Sequence, residues 1–375
     1  MTGISTDLIH SSESNYIDVT PPINITTTYK YSDDPEKLVK AVDRTGPDYF
    51  HNDNWTYSRL THQNSELIEN LLESLLEGKV VVYNSGLAAF NAALTHINPK
   101  TVIIGQAYHG CHAILEIWKR NFDLKVLDIN VLDNFEKLQP GDLVHLETPV
   151  NPLGTSFDIE FYAKKAHEKG ALLMVDATFA PPPLQRPFNH GADLIMHSAT
   201  KYFGGHSDLL AGLLVTKDEE VRQKLFYDRL LLGTNIGNLE SSLLVRSLKT
   251  YELRILRQSD NCTKLVAYLN SNKEKFPNLK EVFHSSLQSD EYIKTQLSGH
   301  SPTFSITLQS EDLAKRFPSK LKYFYHATSL GGVESLIEWR AISDPTVDTA
   351  LLRVSVGVEN VEDLIDDFTQ ALTSS

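Results

Sequence analysis

Cysteine is nearly missing from this chain: Cys111 and Cys262 are the two thiols in 375 residues. Two thiols cannot build a disulfide framework, and such usage suits a reducing compartment. No apolar run approaches the length that crosses a bilayer. The opening residues, Met1-Thr2-Gly3-Ile4-Ser5-Thr6-Asp7, lack the charged and apolar segments of a secretory signal. The closing Leu372-Thr373-Ser374-Ser375 carries no address. The expectation is a soluble, cytoplasmic protein. Positive charge is also short: 35 Lys and Arg against 48 Asp and Glu leave a net charge of −13. That balance argues against nucleic-acid partners and against anionic membrane surfaces, both of which favour a basic face. No internal repeat, Walker loop, Gly-x-Gly-x-x-Gly fingerprint, zinc-protease helix or Gly-x-Ser-x-Gly elbow occurs.

What is present falls into three stretches. Residues 1–55 are polar and rich in turns, with Pro21-Pro22 and Gly46-Pro47. Because Ile23, Ile25, Tyr29 and Tyr31 give this stretch apolar contacts, an arm packed on a neighbouring subunit is expected; simple disorder is the alternative. Residues 56–235 alternate helical and strand patterns. Leu67, Ile68, Leu71, Leu72, Leu75 and Leu76 recur at helical spacing. Short apolar strands are expected at Val80–Tyr83, Val102–Ile104, Val126–Leu127, Leu143–Leu146, Leu172–Val175 and Leu194–Met196. Such alternation predicts an α/β fold, a mostly parallel sheet with helices on both faces. Residues 236–375 form a smaller α+β domain: one long helical pattern from Leu239 to Leu269, a strand at Leu351–Val356 and a helix at Val361–Leu372.

Ligands of open α/β sheets bind beyond the carboxyl ends of the strands, so strand ends are where chemistry is sought. Ser198-Ala199-Thr200-Lys201, followed by Gly204-Gly205, places two hydroxyls just before a lysine and glycines just after. Hydroxyls can donate to a phosphate, and the amine can form a Schiff base with an aldehyde. An exposed lysine in a Ser/Gly-rich loop is the plainer reading. Asn84-Ser85-Gly86-Leu87 joins a strand to a helix, where free amides make an anion site, or simply a helix cap. Asp176 ends an apolar strand and can pair with a protonated ring nitrogen; any α/β protein also exposes polar residues there. Tyr108 can stack on a flat ring and carry a proton. The neighbouring His109, Cys111 and His112 make a poor tetrahedral set, so no metal is expected. Arg353 shares one strand face with Ser355 and needs a fixed carboxylate partner. That partner is either a substrate α-carboxylate or a structural Asp or Glu.

Together these motifs resemble the Cys/Met-metabolism family of pyridoxal-phosphate enzymes, the group of cystathionine γ-synthase, the cystathionine lyases and methionine γ-lyase. The resemblance runs from Thr20-Pro21-Pro22-Ile23 and Tyr57-Ser58-Arg59, through Ser85-Gly86-Leu87, Glu147-Thr148-Pro149-Val150-Asn151-Pro152 and Asp176-Ala177-Thr178-Phe179. It continues to Ser198-Ala199-Thr200-Lys201, Ser329-Leu330-Gly331-Gly332-Val333-Glu334-Ser335-Leu336 and Arg353-Val354-Ser355-Val356-Gly357. It implies a fold-type I PLP-dependent transferase fold and pyridoxal 5'-phosphate (PLP) as cofactor. Lys201 is then similar to the family's Schiff-base lysine and proton carrier, and Tyr108 to its ring-stacking tyrosine. Asp176 corresponds to the partner of the ring nitrogen, with Thr178 near the ring. Gly86, Leu87, Ser198 and Thr200 would bind phosphate, as would Tyr57 and Arg59 from a neighbouring subunit. Asn151, Ser329 and Arg353 would hold the carboxylate side of a small amino-acid substrate. The shared site implies a homodimer or homotetramer.

The sequence departs from the family's usual pattern at Leu60-Thr61-His62-Gln63-Asn64, at Ala177, at His109-Gly110-Cys111 and at Thr328, where several members carry a glutamate. The expected function is trans-sulfuration on a sulfur amino acid or O-activated homoserine, by γ-replacement or β/γ-elimination. The alternative is a PLP-binding paralogue of low activity with a partner-subunit or regulatory role.

Overall fold

The structure is a computed structural model and describes residues 3–10, 18–43 and 55–373. The Gly46-Pro47 turn lies outside them. The first piece of the arm is a helix, α1 (Ile4–His10), which buries Leu8. The Ser5 N–H donates to Glu252 at 2.9 Å, so this end packs on its own chain. Residues 21–26 are irregular, with Ile23 and Ile25 exposed.

The next elements alternate. They are α2 (Gln63–Leu76), β1 (Lys79–Tyr83), α3 (Gly86–Ile97), β2 (Thr101–Ile104), α4 (His109–Phe122), β3 (Lys125–Asp128) and β4 (Leu143–Glu147). Then come α5 (Ile159–His167), β5 (Leu172–Asp176), β6 (Leu194–Ser198), β7 (Gly212–Thr216) and α6 (Glu219–Leu232). The strands form one seven-stranded sheet in the order β1-β7-β6-β5-β4-β2-β3. Strands β2 to β6 pair in parallel, and β7 runs antiparallel to both of its neighbours, β6 and β1. Two reversals restore the direction, so β1 points the same way as β2 to β6. The carboxyl ends of β1, β2, β4, β5 and β6 therefore share one edge of the sheet.

Side chains alternate across this sheet. Leu173 and Val175 join the apolar cluster beneath one face, and Met174 joins the cluster on the other. Both faces are covered, which is why these strands read as unbroken apolar runs.

Beyond β7 the long helical pattern is two helices, α7 (Asn238–Leu248) and α8 (Tyr251–Ser271), interrupted at Lys249 and Thr250. The remaining elements are β8 (Leu279–Phe283), α9 (Glu291–Gln296), β9 (Thr303–Leu308), α10 (Glu311–Arg316), β10 (Phe324–His326), β11 (Ser335–Trp339), β12 (Leu351–Ser355) and α11 (Val361–Thr373). Their strands form a second sheet, β10-β11-β12-β9-β8, in which β12 is antiparallel to both neighbours. Leu265 of α8 and Phe368 of α11 lie in its apolar core. Among the described residues, no helix is long and apolar enough to cross a membrane.

One polar group inside the core has a measurable consequence. His145 on β4 is fully buried against the edge of Phe90, with ring centroids 4.9 Å apart, and neither ring nitrogen has a hydrogen-bond partner among the described residues. Burial, helped by the nearby His112, lowers its pKa from 6.5 to about 3. The unfolded chain therefore binds a proton that the folded chain refuses as pH falls below 6.5. Stability should decline between pH 6.5 and 3. His145→Leu should flatten the acid side of a plot of thermal midpoint against pH; an unchanged slope would count against His145 as a source of acid lability.

Candidate active site

Lys201 follows β6 in a tight turn. The Thr200 N–H donates to Ala211 O at 3.2 Å, and the Gly205 N–H donates to Lys201 O at 2.7 Å. Arg254 braces the turn from α8, donating to Tyr202 O at 2.8 Å and Phe203 O at 3.2 Å. The Lys201 ammonium donates to Ser329 Oγ at 2.6 Å. Burial, seconded by the positive charge of Arg353 and opposed by Glu338, lowers its pKa to about 8. Ser329 sits in the left-handed region at φ +75°, a conformation that costs energy for a non-glycine residue. Gly331 permits this approach: a Cβ there would lie 2.8 Å from the Lys201 carbonyl carbon.

The carboxyl ends of β1, β4, β5 and β6 assemble the rest. Asp176 Oδ1 accepts from the Thr178 N–H at 2.9 Å and from its hydroxyl at 2.5 Å. Both bonds fall on Oδ1, so Oδ2 is left without a partner among the described residues. Thr178 Oγ1 also accepts from the Ser198 N–H at 2.8 Å, which ties β5 to β6. Burial raises Asp176 to about 6, against the pull of the Thr178 bonds.

Across the same edge, Ser85 caps α3 by accepting from the Ala88 N–H at 3.1 Å. The N–H groups of Gly86 and Leu87 have no acceptor among the described residues. Strand β7 separates β1 from β6, yet Gly86 reaches Ser198, because a Cβ on Gly86 would lie 3.2 Å from the Ser198 Cβ. Gly212 makes the crossing possible: a Cβ there would strike Ser85 O at 2.1 Å. The result is a cradle of free amides and a hydroxyl at a helix N-terminus, the arrangement that binds phosphate.

Thr200 and Arg353 already have partners within the protein. The Thr200 hydroxyl accepts from the Ala211 N–H at 3.0 Å, so the turn itself already uses it. Arg353 has a fixed protein partner: Glu338, directly opposite on β11, accepts from Nη2 at 2.6 Å. Of the two partners considered for Arg353, the structural carboxylate is present. Arg340 and Ser343 also donate to Glu338, at 2.9 and 2.6 Å, and relieve its charge. Arg353 further donates to Asn151 Oδ1 at 3.1 Å and Ser329 O at 2.8 Å, so the three expected substrate-side residues do meet.

Tyr108 stands at the start of α4, 40% exposed, with its ring 4.4 Å from that of His109. His109 and His112 are exposed while Cys111 is buried, so the three do not converge. Burial raises the Cys111 thiol well above its usual range, as do the neighbouring Asp176 and Glu147. Tyr57 and Arg59 stand apart. Tyr57 bridges to Thr28, and Arg59 donates to Leu230 O at 2.7 Å. No hydrogen bond among the described residues joins either to Gly86, Asp176 or Lys201.

The unusual Leu60–Asn64 stretch has a local structural role. His62 Nδ1 caps α2 by accepting from the Ser65 N–H at 3.2 Å, and its other nitrogen lies 3.1 Å from Ile236 O. Asn64 accepts from the Asn24 N–H at 3.1 Å and donates to Pro22 O at 3.1 Å, holding the arm. Thr328 lines a groove of about 930 Å³ beside Ser329; Asp208, Glu240 and Glu334 line it as well.

Glu147, which ends β4, is a site residue that spacing alone does not single out. Its Oε2 accepts from the Tyr108 N–H at 2.7 Å and its Oε1 from the Asn151 N–H at 2.7 Å. It is in register with Asp176. Burial, followed by the Asp176 charge, raises it to about 8, while the two N–H donors pull it back.

A mostly parallel sheet with a half-buried lysine, a strand-end carboxylate and an amide cradle on one edge defines a fold-type I, PLP-dependent enzyme. The chain belongs to the Cys/Met metabolism PLP-dependent enzyme family, whose sequence model matches residues 5–373. It is 33% identical over 399 aligned positions to a cystathionine beta-lyase of Lactococcus lactis subsp. cremoris, covering 99% of each chain. It is 34% identical to a cystathionine gamma-synthase/O-acetylhomoserine (thiol)-lyase of Bacillus subtilis, covering 94% of this chain and 91% of the other. A crystal structure of cystathionine gamma synthase from Xanthomonas oryzae pv. oryzae superposes with a TM-score of 0.88 at 27% identity, covering 100% of this chain and 98% of that one. The protein is therefore a PLP-dependent enzyme of sulfur amino-acid metabolism, in the group of trans-sulfuration lyases and synthases.

Proposed function

We propose that the site acts on a sulfur amino acid or an O-activated homoserine, by β- or γ-elimination or by γ-replacement. The observation that carries this reading is the 2.6 Å contact between Lys201 Nζ and Ser329 Oγ. It places a proton-carrying amine against the loop that Arg353 holds by its backbone.

The free amides of Gly86 and Leu87 and the Ser198 hydroxyl would hold the cofactor's phosphate, with Thr200 closing the turn beside them. Asp176 Oδ2 would take the ring nitrogen, and Tyr108 would cover the ring. When bound, PLP supplies an aldehyde that accepts an amine and a ring that withdraws electrons from the substrate's Cα. Arg353 and Asn151 orient the substrate carboxylate. Lys201 Nζ takes the Cα proton and returns a proton to the leaving side, and the Ser329 hydroxyl keeps the amine pointed at that carbon. Tyr57 and Arg59 would complete the phosphate site of a second copy, so the working unit is at least a dimer. The distal part of the substrate would meet Thr328, which is uncharged, so selection among sulfur amino acids falls to the groove beside it.

A substrate panel tests this. Cystathionine, homocysteine, methionine, cysteine and O-acyl homoserines are supplied with and without an added thiol. Release of keto acid and ammonia marks elimination, and thioether formation marks replacement. Arg353→Lys should raise KM on the accepted substrate roughly 10- to 100-fold, because a point charge replaces a two-pronged donor. No turnover of any panel member would defeat the reading.

A further inference from the structure

Two carboxylates lie side by side at the ends of β4 and β5, and the reading above uses one of them. Asp176 faces the ring position. Glu147 is only 4% exposed, which leaves almost no surface for a ligand. Its two oxygens are spent separately, one on the Tyr108 N–H and one on the Asn151 N–H, each at 2.7 Å. That length is at the short end of the N–H···O range, so each oxygen is a committed acceptor. The two recipients are 39 and 4 residues from Glu147 in sequence and lie on opposite sides of it. One begins α4 and carries the exposed ring. The other presents Oδ1 to Arg353. A single rigid carboxylate, fixed by the last residue of a buried strand, therefore spans the ring-covering side of the site and its substrate side.

We propose that Glu147 is a positioning residue that sets Tyr108 and Asn151 at one mutual distance, so that the cofactor face and the carboxylate-holding face of the site stay in register. The proposal rests on the reading of Tyr108 as ring-covering and Asn151 as carboxylate-facing. Tyr108 needs such an anchor because its side chain makes no cap bond to α4. Asn151 needs one because its amide oxygen is committed to Arg353, which leaves its backbone as the second point of attachment. A glutamine at 147 can accept only one of the two N–H groups. Its amide nitrogen would face the other, donor against donor, and that side of the site would loosen.

The test uses full-length protein loaded with PLP. In Glu147→Gln, two quantities are read: the dissociation constant of PLP, which follows the Tyr108 side, and that of L-alanine from its effect on the visible absorbance band, which follows the Asn151 side. Whichever way the amide settles, at least one should weaken about tenfold, the scale of one hydrogen bond to a buried acceptor. A variant with a lower thermal midpoint and both constants unchanged would show a merely structural residue and overturn the proposal. Amide hydrogen exchange on the wild-type protein gives a second measurement that does not depend on the variant folding. The Tyr108 and Asn151 N–H groups should be among the slowly exchanging amides, and rapid exchange at either would also overturn it. If the wild-type protein shows no Lys201-dependent band with PLP, the proposed function fails; the exchange result still decides whether Glu147 holds both segments.

Discussion

Lys201→Ala should abolish the visible absorbance that PLP gives the wild-type protein and lower turnover on the order of 10⁴-fold or more. The reason lies in the state of the amine. Lowered from 10.5 to about 8, the lysine has roughly 300-fold more neutral amine at pH 7 than an ordinary one. Only the neutral amine has a lone pair for bonding carbon or taking a proton. Burial is the main cause and Arg353 the second, so the residue expected to hold the substrate also primes the base. Lys201→Arg is the matching control. It keeps the charge near Ser329 but cannot lose its proton, so it should be as inactive as alanine while preserving more of the thermal stability. Borohydride reduction of the PLP-loaded wild type, followed by peptide mass analysis, should find the cofactor's mass on Lys201. Label on another lysine, or a band that survives in Lys201→Ala, would reject the assignment.

The strand ends were legible because the physics there is local. A buried parallel strand is an apolar run, and the first polar residue after it marks the sheet edge. Asp176, Ser198 and the Asn84–Leu87 turn could each be placed that way. Strand β7 escaped notice because it is a short run after a glycine-rich turn, and nothing in Gly212–Thr216 encodes its reversed direction. Helix α4 was missed for a related reason: its first turn, His109-Gly110-Cys111-His112, carries no cap signal and contains glycine. The break between α7 and α8 falls at Lys249 and Thr250, with neither glycine nor proline to announce it.

The site was legible as parts but not as a circuit. Lys201 and Ser329 are 128 residues apart and meet only because the turn after β6 lies against the loop before β11. The partner of Arg353 became identifiable only when the antiparallel register set Glu338 opposite it. Glu147 stood in a recognisable segment, yet no spacing rule says where two carboxylate oxygens will go. The departures at Leu60–Asn64 look disruptive as a string and turn out to form a helix cap and a clasp for the arm.

The largest stability effect is expected away from the chemistry, at Arg229. This arginine of α6 is 1% exposed and donates to Glu69 Oε1 of α2 and to Val82 O of β1, both at 2.7 Å. Glu69 Oε1 in turn accepts from the Val82 N–H at 3.0 Å. The cluster thus pins two helices to β1 one residue before its end, and the Asn84–Leu87 cradle starts just beyond. The segment that follows α6 reaches the same place, because the Asn84 N–H donates to Thr234 O at 2.9 Å. Arg229→Met would leave the Glu69 carboxylate buried without its cation, a change that costs about 3–5 kcal/mol. It should appear as a lower urea midpoint and, because the cradle loses its footing, as weaker PLP binding. Combining Arg229→Met with Glu69→Gln removes the stranded charge and keeps an acceptor for the Val82 N–H. The double variant should therefore be more stable than Arg229→Met alone, a reversal that independent effects cannot produce. If the two losses simply add, the pair is not the unit that holds β1, and the cradle must owe its position to other contacts.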